Sequence, residues 1–376
     1  MSNPFSKRRR VDGEINREVL DFDFAKICLQ TLSSTNVYAC LACGKYFEGR
    51  SPSSPAYKHA VSTNHQMYMS FATEKFYELP QDREVLPVQD VIDYYNPRYT
   101  PRDIDLLPRI SFDLHKKYLV GYVGLNNIKK NDYANVVVQV LAHIEPVRNY
   151  YLLETPTNPL NVHLGLLIRK MWSPHLFKSH IAPHEFMNSV SEESKKRFTL
   201  EKGHPKLFLL WLLNRGGPYE CLRGKVEVTS TPIVPHEGKD KVEFVTLEEK
   251  TTVLNFWFLS VDVPGEVDLQ ELMKKYDGET KTQGENDVKT YKVVVPPKYL
   301  VVVLEGVGVV KLPSVLDVSG TKYEMVSAIK KSSGWAVSLR SESGWVLIED
   351  LQVKSQSSEL LFLDKNYIVV WRLSRE

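Results

Sequence analysis

Two cysteines and two histidines in the first hundred residues restrict the fold of this chain more than any other feature. Cys40 and Cys43 are separated by two residues, fifteen residues follow, and His59 and His65 are separated by five. Two thiolates and two imidazoles in this spacing are typical ligands of a tetrahedral structural zinc ion. The spacing predicts a small domain folded around one zinc ion. The alternative is an incidental Cys-x2-Cys pair followed by two surface histidines.

The residues around the ligands predict local structure as well. Gly44 follows the second cysteine, where a glycine permits the tight backbone turn around a metal. A short helix is expected over 56–61, which places His59 on the helix and His65 just after it. Cys28 is expected to be a small buried apolar side chain and not a ligand.

The positions of the cysteines and histidines argue against the chemistry of a thiol protease. The sequence contains four cysteines and ten histidines, and neither residue type occurs after His236. A thiol protease needs a thiolate and a histidine that takes its proton and later returns it to the leaving amine. Because no histidine follows His236, the last 140 residues of the chain cannot supply this base.

Helical patterns come first in the chain and strand patterns come later. Ala134, Val137, Val138 and Leu141 recur as one buried helix face, and Asp132 stands at or near the N-cap of that helix. Residues 80–116 are rich in proline, which favours an extended connector. Further helices are expected over 162–172, 184–190, 205–213 and 268–276, and strands over 242–261, 291–304, 323–329, 334–339, 345–351 and 367–373. This order indicates an α+β fold.

Composition and charge exclude several classes of function. The formal net charge is only +2, so the chain as a whole is not an electrostatic nucleic-acid binder. No apolar run reaches the roughly 20 residues of a membrane helix, so no membrane association is expected. The basic run Lys7–Arg10 is interpreted either as a nuclear localisation signal or RNA-contacting arm, or as part of a solvated tail.

Both halves of the sequence resemble ubiquitin-specific proteases. The first half resembles their zinc finger through Cys40, Cys43, Gly44, Tyr46, Gly49, His59 and His65. The run from Gly124 to Gln139 resembles the cysteine box, with Asp132 in place of the nucleophilic cysteine. Box residues that are retained are Asn127, Tyr133, Asn135 and Gln139. Trp335 stands in a run that resembles the histidine box, and Glu349 at the acidic position. The resemblance thus places Asp132, Trp335 and Glu349 at the three degenerate triad positions.

This resemblance implies a domain organisation. The fold class is α+β, with a small zinc finger domain of the ubiquitin-protease type followed by a papain-like ubiquitin-specific-protease fold. The expected segments are a disordered basic tail at 1–20, the finger at 21–100, a linker at 101–118 and an inactive protease-like domain at 119–376. One structural zinc ion is the expected cofactor.

A single-zinc finger ahead of an Asp-substituted box resembles the tri-snRNP-associated, catalytically inactive protease homologues of the spliceosome. Membership implies a nuclear, non-catalytic scaffold of pre-mRNA splicing that assembles or stabilises the U4/U6-U5-type tri-snRNP. Its partners would be tri-snRNP proteins, with small nuclear RNA contacted indirectly or weakly. The alternative is a ubiquitin receptor. Against this stands Lys45, because ubiquitin-binding fingers carry there an arginine that holds the ubiquitin carboxylate.

Overall fold

The computed structural model describes residues 14–110, 118–237, 242–284, 286–358, 361 and 365–374 of the 376-residue chain. By their internal contacts these residues form two compact units. The first contains the described residues of Met1–Asn126 and Tyr151–Lys196, and the second contains those of Asn127–Tyr150 and Arg197–Glu376. The segment that follows the finger is therefore divided between the units. The domain boundaries given above stay predictions.

Nine α-helices have both ends within the described residues. They are α1 Pro55–Thr63, α2 Gln89–Tyr95, α3 Pro101–Ile110, α4 Asp132–Ala142, α5 Glu145–Leu153, α6 Pro159–Met171, α7 His184–Glu193, α8 Pro205–Leu213 and α9 Leu269–Met273. Short 3-10 helices follow at Glu220–Leu222 and Lys274–Tyr276. Among the described residues, every helix is too short or too polar to cross a membrane.

The strands divide between the two units. Strands of the first unit are β1 Val37–Cys40, β2 Tyr46–Glu48, β3 Met67–Ser70, β4 Phe76–Glu78, β5 Arg83–Val85, β6 Gly124–Leu125 and β7 His180–Ile181. Strands of the second unit are β8 Gly224–Glu237, β9 Val242–Thr246, β10 Lys250–Phe256, β11 Leu259–Val263, β12 Val267–Asp268, β13 Thr282–Gln283, β14 Asp287–Val295, β15 Tyr299–Gly306, β16 Val310–Lys311, β17 Val315–Val318, β18 Thr321–Lys331, β19 Trp335–Ser341, β20 Gly344–Glu349, β21 Gln352–Gln356 and β22 Asn366–Leu373.

The first unit is built on an antiparallel sheet in the order β2–β1–β3–β4–β5. Successive side chains of a strand point to opposite faces, and here both faces are covered. Along β1, Val37 and Ala39 enter a core that also contains Phe22, whereas Tyr38 and Cys40 enter a second core on the other face. All residues of β1 and β3 are consequently buried. The zinc ligand Cys40 therefore begins from a fixed strand.

The start of the described chain is part of this core and not of a tail. Ile15 and Leu20 are buried in the same cluster as Phe22, and the Asn16 N–H donates to the Leu41 carbonyl at 3.0 Å. The prediction of disorder over 1–20 is wrong for residues 14–20, because their apolar side chains complete the finger core. The basic run Lys7–Arg10 lies outside the described residues.

The second unit is built on a sheet in the order β11–β15–β22–β18–β19–β20–β21, with β17 added to β18. Its strands pair antiparallel except β11 with β15. Six of the eight residues of β15 are buried, from Tyr299 to Leu304, as expected for a central strand with both faces covered. Helix α4 contacts β18, β19 and α8, which brings the N-terminus of α4 to the start of β19.

A second sheet in this unit has the order β10–β8–β14–β13, with β9 on β8. The α+β class and the helices at 56–61, 162–172, 184–190 and 205–213 are confirmed. The extended connector over 80–116 is wrong where the helices α2 and α3 lie, at 89–95 and 101–110. Pro101 is the first residue of α3, a position at which proline favours a helix. Residues 111–117 lie outside the described residues.

Candidate functional site

The four predicted zinc ligands meet in the first unit. Their ligand atoms all lie within 4.8 Å of one another. Among the described residues, no other group of histidine, cysteine or carboxylate side chains is placed to hold a metal ion. Cys40 Sγ lies 3.6 Å from His65 Nδ1, and Cys43 Sγ lies 3.4 Å from His59 Nε2. The two histidine nitrogens are 3.3 Å apart. Tetrahedral zinc with ordinary bond lengths separates sulfur from nitrogen by about 3.5 Å and two nitrogens by about 3.3 Å.

Local sequence explains how the ligands reach these positions. Cys40 ends β1, and the Gly44 N–H donates to the Cys40 carbonyl at 2.9 Å to close the knuckle. Gly44 has a φ of 72°, and a Cβ there would come within 2.3 Å of the Val19 carbonyl oxygen. His59 lies on α1, stacked on Phe47 at 4.2 Å between ring centroids. Glycine at position 44 is therefore required both by the turn and by the close approach of the backbone.

The electrostatics of the cluster fit a bound cation. Burial raises the pKa of the Cys40 thiol to about 11, so this thiol ionises at neutral pH only when a cation binds it. Burial, followed by the neighbouring His65 and Lys45, lowers the pKa of His59. A neutral imidazole is the form that ligates zinc. Cys40, Cys43, His59 and His65 therefore form a structural zinc site. Cys28 is buried away from it, as expected.

A buried ionic cluster in the same unit was not foreseen from the sequence. Lys170 on α6 lies 2.8 Å from Asp23, and both side chains are at most 3% exposed. Lys178 also lies 2.8 Å from Asp23, whose second oxygen accepts the Ala182 N–H at 2.9 Å. Burial alone would raise the pKa of Asp23, but the Lys170 and Lys178 ammonium groups outweigh it and hold the pKa far below its usual range. The cluster joins the finger to residues 170–182.

The predicted degenerate triad residues meet in the second unit. Asp132, Trp335 and Glu349 line one cleft of about 450 Å³. Asp132 is the first residue of α4; its Oδ1 accepts the Tyr133 N–H at 3.0 Å and its Oδ2 accepts the Trp335 N–H at 2.9 Å. A Cβ on Gly334 would lie 2.8 Å from Asp132 Oδ2. The carboxylate at the nucleophile position thus links the start of α4 to the start of β19.

The retained box residues all have structural contacts. Asn127 Oδ1 accepts the Asn131 N–H at 3.1 Å, and Asn135 Oδ1 accepts from Asn131 Nδ2 at 3.0 Å. Tyr133 donates its hydroxyl to the Thr199 carbonyl at 2.8 Å and is buried. Gln139 is buried on the inner part of α4. These contacts fix the turn that leads into the helix.

The other carboxylates of the cleft also interact with neighbouring side chains of the same unit. Glu349 Oε1 accepts hydrogen bonds from the hydroxyls of Ser332 at 2.8 Å and Ser333 at 3.3 Å. Burial raises the pKa of Asp350, and the carboxylates of Asp132 and Glu349 contribute in the same direction. Among the described residues, neither a cysteine nor a histidine lines the cleft.

A histidine ring contacts Trp335, one of the residues that line the cleft. His204 packs edge-on against Trp335 at 5.4 Å and against Tyr367 at 5.2 Å between ring centroids. Burial, followed by Lys331 and Lys206, lowers the pKa of His204. Its contacts are those of a packed aromatic group.

A zinc finger of this geometry together with an α+β unit is the arrangement of a ubiquitin-hydrolase-like protein. Residues 27–90 match the family described as Zn-finger in ubiquitin-hydrolases and other protein. Residues 123–214 match the ubiquitin carboxyl-terminal hydrolase family. The crystal structure of an essential yeast splicing factor superimposes with a TM-score of 0.80 at 27% identity, covering 96% of this chain and 99% of that one.

Two curated relatives identify the branch of the family. The probable mRNA-splicing protein ubp10 of Schizosaccharomyces pombe is 32% identical over 96% of this chain and 87% of its own length. Human ubiquitin carboxyl-terminal hydrolase 39 is 31% identical over 98% of this chain and 82% of its own length. The chain belongs to the splicing-associated family of ubiquitin carboxyl-terminal hydrolase-like proteins.

Proposed function

We propose that this protein is a non-catalytic scaffold of pre-mRNA splicing in the nucleus. It assembles or stabilises the U4/U6-U5-type tri-snRNP through contacts with tri-snRNP proteins. Small nuclear RNA is contacted indirectly or weakly. The observation that carries the proposal is the position of Asp132, whose two carboxylate oxygens accept backbone N–H groups at 3.0 and 2.9 Å.

The chemistry of the cleft supports a pseudo-deubiquitinase. Attack on an amide needs a strong nucleophile with a base beside it. A carboxylate is a weak nucleophile, and its attack on an amide would give a high-energy anhydride. Trp335 and Glu349, at the positions expected for the base and its partner, offer an indole and a carboxylate that is hydrogen-bonded to two serines. Hydrolysis by the mechanism of thiol proteases needs a thiolate and a histidine base, and among the described residues neither lines the cleft.

A splicing role is supported by the relatives. One relative is named as a probable mRNA-splicing protein, and a structural relative is titled as an essential yeast splicing factor. A protein that retains the fold and loses the catalytic groups still presents the surfaces of that fold. The buried Asp23–Lys170 pair fixes the finger against α6 within the first unit, and a rigid unit of this kind suits a scaffold.

The test is affinity purification of the tagged full chain from native extract at moderate salt, with sequencing of the bound RNA and mass spectrometry of the bound proteins. Recovery of the tri-snRNP proteins and the three small nuclear RNAs is expected. A D132A variant that keeps its fold should recover the same particle, because catalysis is not needed. Recovery of ubiquitin conjugates without small nuclear RNA would refute the scaffold and favour a ubiquitin receptor.

Depletion gives a second test. Removal of the protein from splicing extract should reduce intact tri-snRNP on gradients and reduce intron removal, and D132A should restore both. Unchanged tri-snRNP and unchanged splicing after depletion would contradict the proposal.

A further inference from the structure

One polar atom beside the zinc centre lacks a partner. Tyr68 lies on β3 directly opposite Cys40 in the β1–β3 pairing. Its side chain is fully buried, and its hydroxyl makes no hydrogen bond of ordinary geometry to a residue that the structure describes, with Cys40 as its polar neighbour. The ring meets His59 edge-on at 6.4 Å between centroids. Tyr68 therefore lies in the core cluster that also contains the zinc ligand Cys40 and against which the ligand Cys43 packs.

The sulfurs of Cys40 and Cys43 are polar neighbours of this hydroxyl. Tyr68 belongs to an apolar cluster with Phe47, Ala56, Ala60 and Leu79. Burial raises the pKa of Tyr68 well above its usual value, and Cys40 and then Cys43 contribute in the same direction. A buried hydroxyl without a partner costs about 1–3 kcal/mol. That cost is removed if an acceptor forms beside it.

We propose that the Tyr68 hydroxyl donates a hydrogen bond to the zinc-bound thiolate of Cys40. A thiol is a weak acceptor, whereas a metal-bound thiolate carries negative charge and accepts more strongly. Groups of this kind, which bond to a ligand and not to the metal, orient the ligand and tune the metal. Tyr68 is thus a positioning residue for the zinc centre. Its effect is to stabilise the ligated form of Cys40 and to reduce the electron density that the sulfur gives to the metal.

The test compares Tyr68→Phe with a matched control in the same unit. Tyr94 also is fully buried, and its hydroxyl also makes no hydrogen bond of ordinary geometry within the described residues, with the Phe22 backbone as its polar neighbour. Its charged neighbours are Asp23 and Asp21, and not the zinc ligands. Tyr94→Phe therefore removes the same atom from an equally buried site. Both variants are made in the full chain, and folding is checked by circular dichroism.

Two readouts separate the variants. In competition with a zinc chelator, Tyr68→Phe should bind zinc about 10-fold more weakly, at the lower end of the range for partners of metal ligands. With cobalt(II) in place of zinc, its sulfur-to-metal charge-transfer band should move to longer wavelength, because the thiolate loses a hydrogen bond. Tyr94→Phe should match the wild type in both. Equal zinc affinity and identical cobalt spectra for both variants would overturn the proposal.

A measurement on the unmutated chain covers the case in which Tyr68→Phe fails to fold. With tyrosines labelled with carbon-13 at Cζ, replacement of zinc by cadmium should shift the Tyr68 signal, because its hydrogen bond follows the charge on the thiolate. The Tyr94 signal should not move. A Tyr68 signal that does not respond to the exchange of metal would exclude the hydrogen bond.

Discussion

The zinc centre and the degenerate cleft both join segments that are distant in the sequence, but their polar atoms are arranged differently. In the zinc centre, two sulfur and two nitrogen atoms converge at 3.3 to 3.6 Å, which is the spacing of ligands around one tetrahedral zinc ion. In the cleft, both oxygens of Asp132 already accept backbone N–H groups. The thiol and imidazole groups of the first site are therefore arranged to bind a metal ion. The Asp132 carboxylate of the second site is already satisfied by backbone donors.

The first prediction removes a ligand from the zinc centre, where the largest effect is expected. Cys40→Ser should abolish stable zinc binding and unfold the sheet β1–β5, because structural zinc contributes on the order of 10 kcal/mol to the folding of small fingers. Metal analysis and hydrogen exchange would measure this. Cys221→Ser, a half-buried cysteine of the second unit, should keep the zinc. A Cys40→Ser protein with one zinc ion and a protected finger would contradict the assignment.

The second prediction concerns the buried ionic cluster that fixes the finger. Asp23→Asn leaves Lys170, 3% exposed, without its charge partner, and should destabilise the first unit by about 3–5 kcal/mol. Asp90→Asn breaks a pair with Arg17 whose side chains are 39% and 35% exposed, and should cost less than about 1 kcal/mol. Urea unfolding of both variants gives the two values. Equal losses would show that the buried cluster contributes no more than a surface pair.

The pH dependence follows from the same cluster. The folded-state pKa of Asp23 lies below its unfolded value of about 4. Its contribution to stability is therefore complete above about pH 5 and is lost as the pH falls toward the folded pKa. The free energy of unfolding of the wild type should fall more steeply with acid than that of Asp23→Asn. Parallel acid limbs for the two proteins would contradict the depressed pKa.

A smaller effect is expected in the cleft. Asp132→Ala removes one charged acceptor from two backbone donors and should destabilise the second unit by about 1.5–3 kcal/mol. The exposed Asp262 in the same unit supplies the control, since Asp262→Ala should change stability by less than about 0.5 kcal/mol. If Asp132→Ala were as stable as this control, the carboxylate would not be the link between α4 and β19.

The two regions also differ in how much the sequence could predict. The zinc ligands have a fixed spacing, so Cys40 and His65 could be paired without a structure. Helix α8 was predicted with its observed bounds because its apolar run is continuous. Strand β8 was missed because it contains Pro232 and Pro235, which argue against a strand. The Asp23–Lys170 pair could not be found, since 147 positions separate two residue types that are common on surfaces.

The cleft shows a second limit of sequence reasoning. The Asp-substituted box predicts what is lost, but not what the new side chain does. The Trp335 N–H that Asp132 binds is a backbone group 203 positions away, and no side-chain pattern marks it. The packing of α4 against β19 decides which backbone N–H the Asp132 carboxylate accepts. That packing is known only from the folded structure.

The last prediction places a thiol at the proposed nucleophile position and expects no change in activity. Asp132→Cys supplies a thiol at the start of α4, but no histidine lines the cleft within the described residues. His204 packs edge-on against the Trp335 and Tyr367 rings and is not among the residues that line the cleft. Hydrolysis of a ubiquitin-fluorophore conjugate by Asp132→Cys should therefore equal that of the wild type, with an active deubiquitinase as the positive control.

The double variant Asp132→Cys with Trp335→His adds a base beside the thiol, because the Trp335 backbone touches Asp132. Turnover by the single variant would mean that a base is already present and that the cleft lost its chemistry at one position alone.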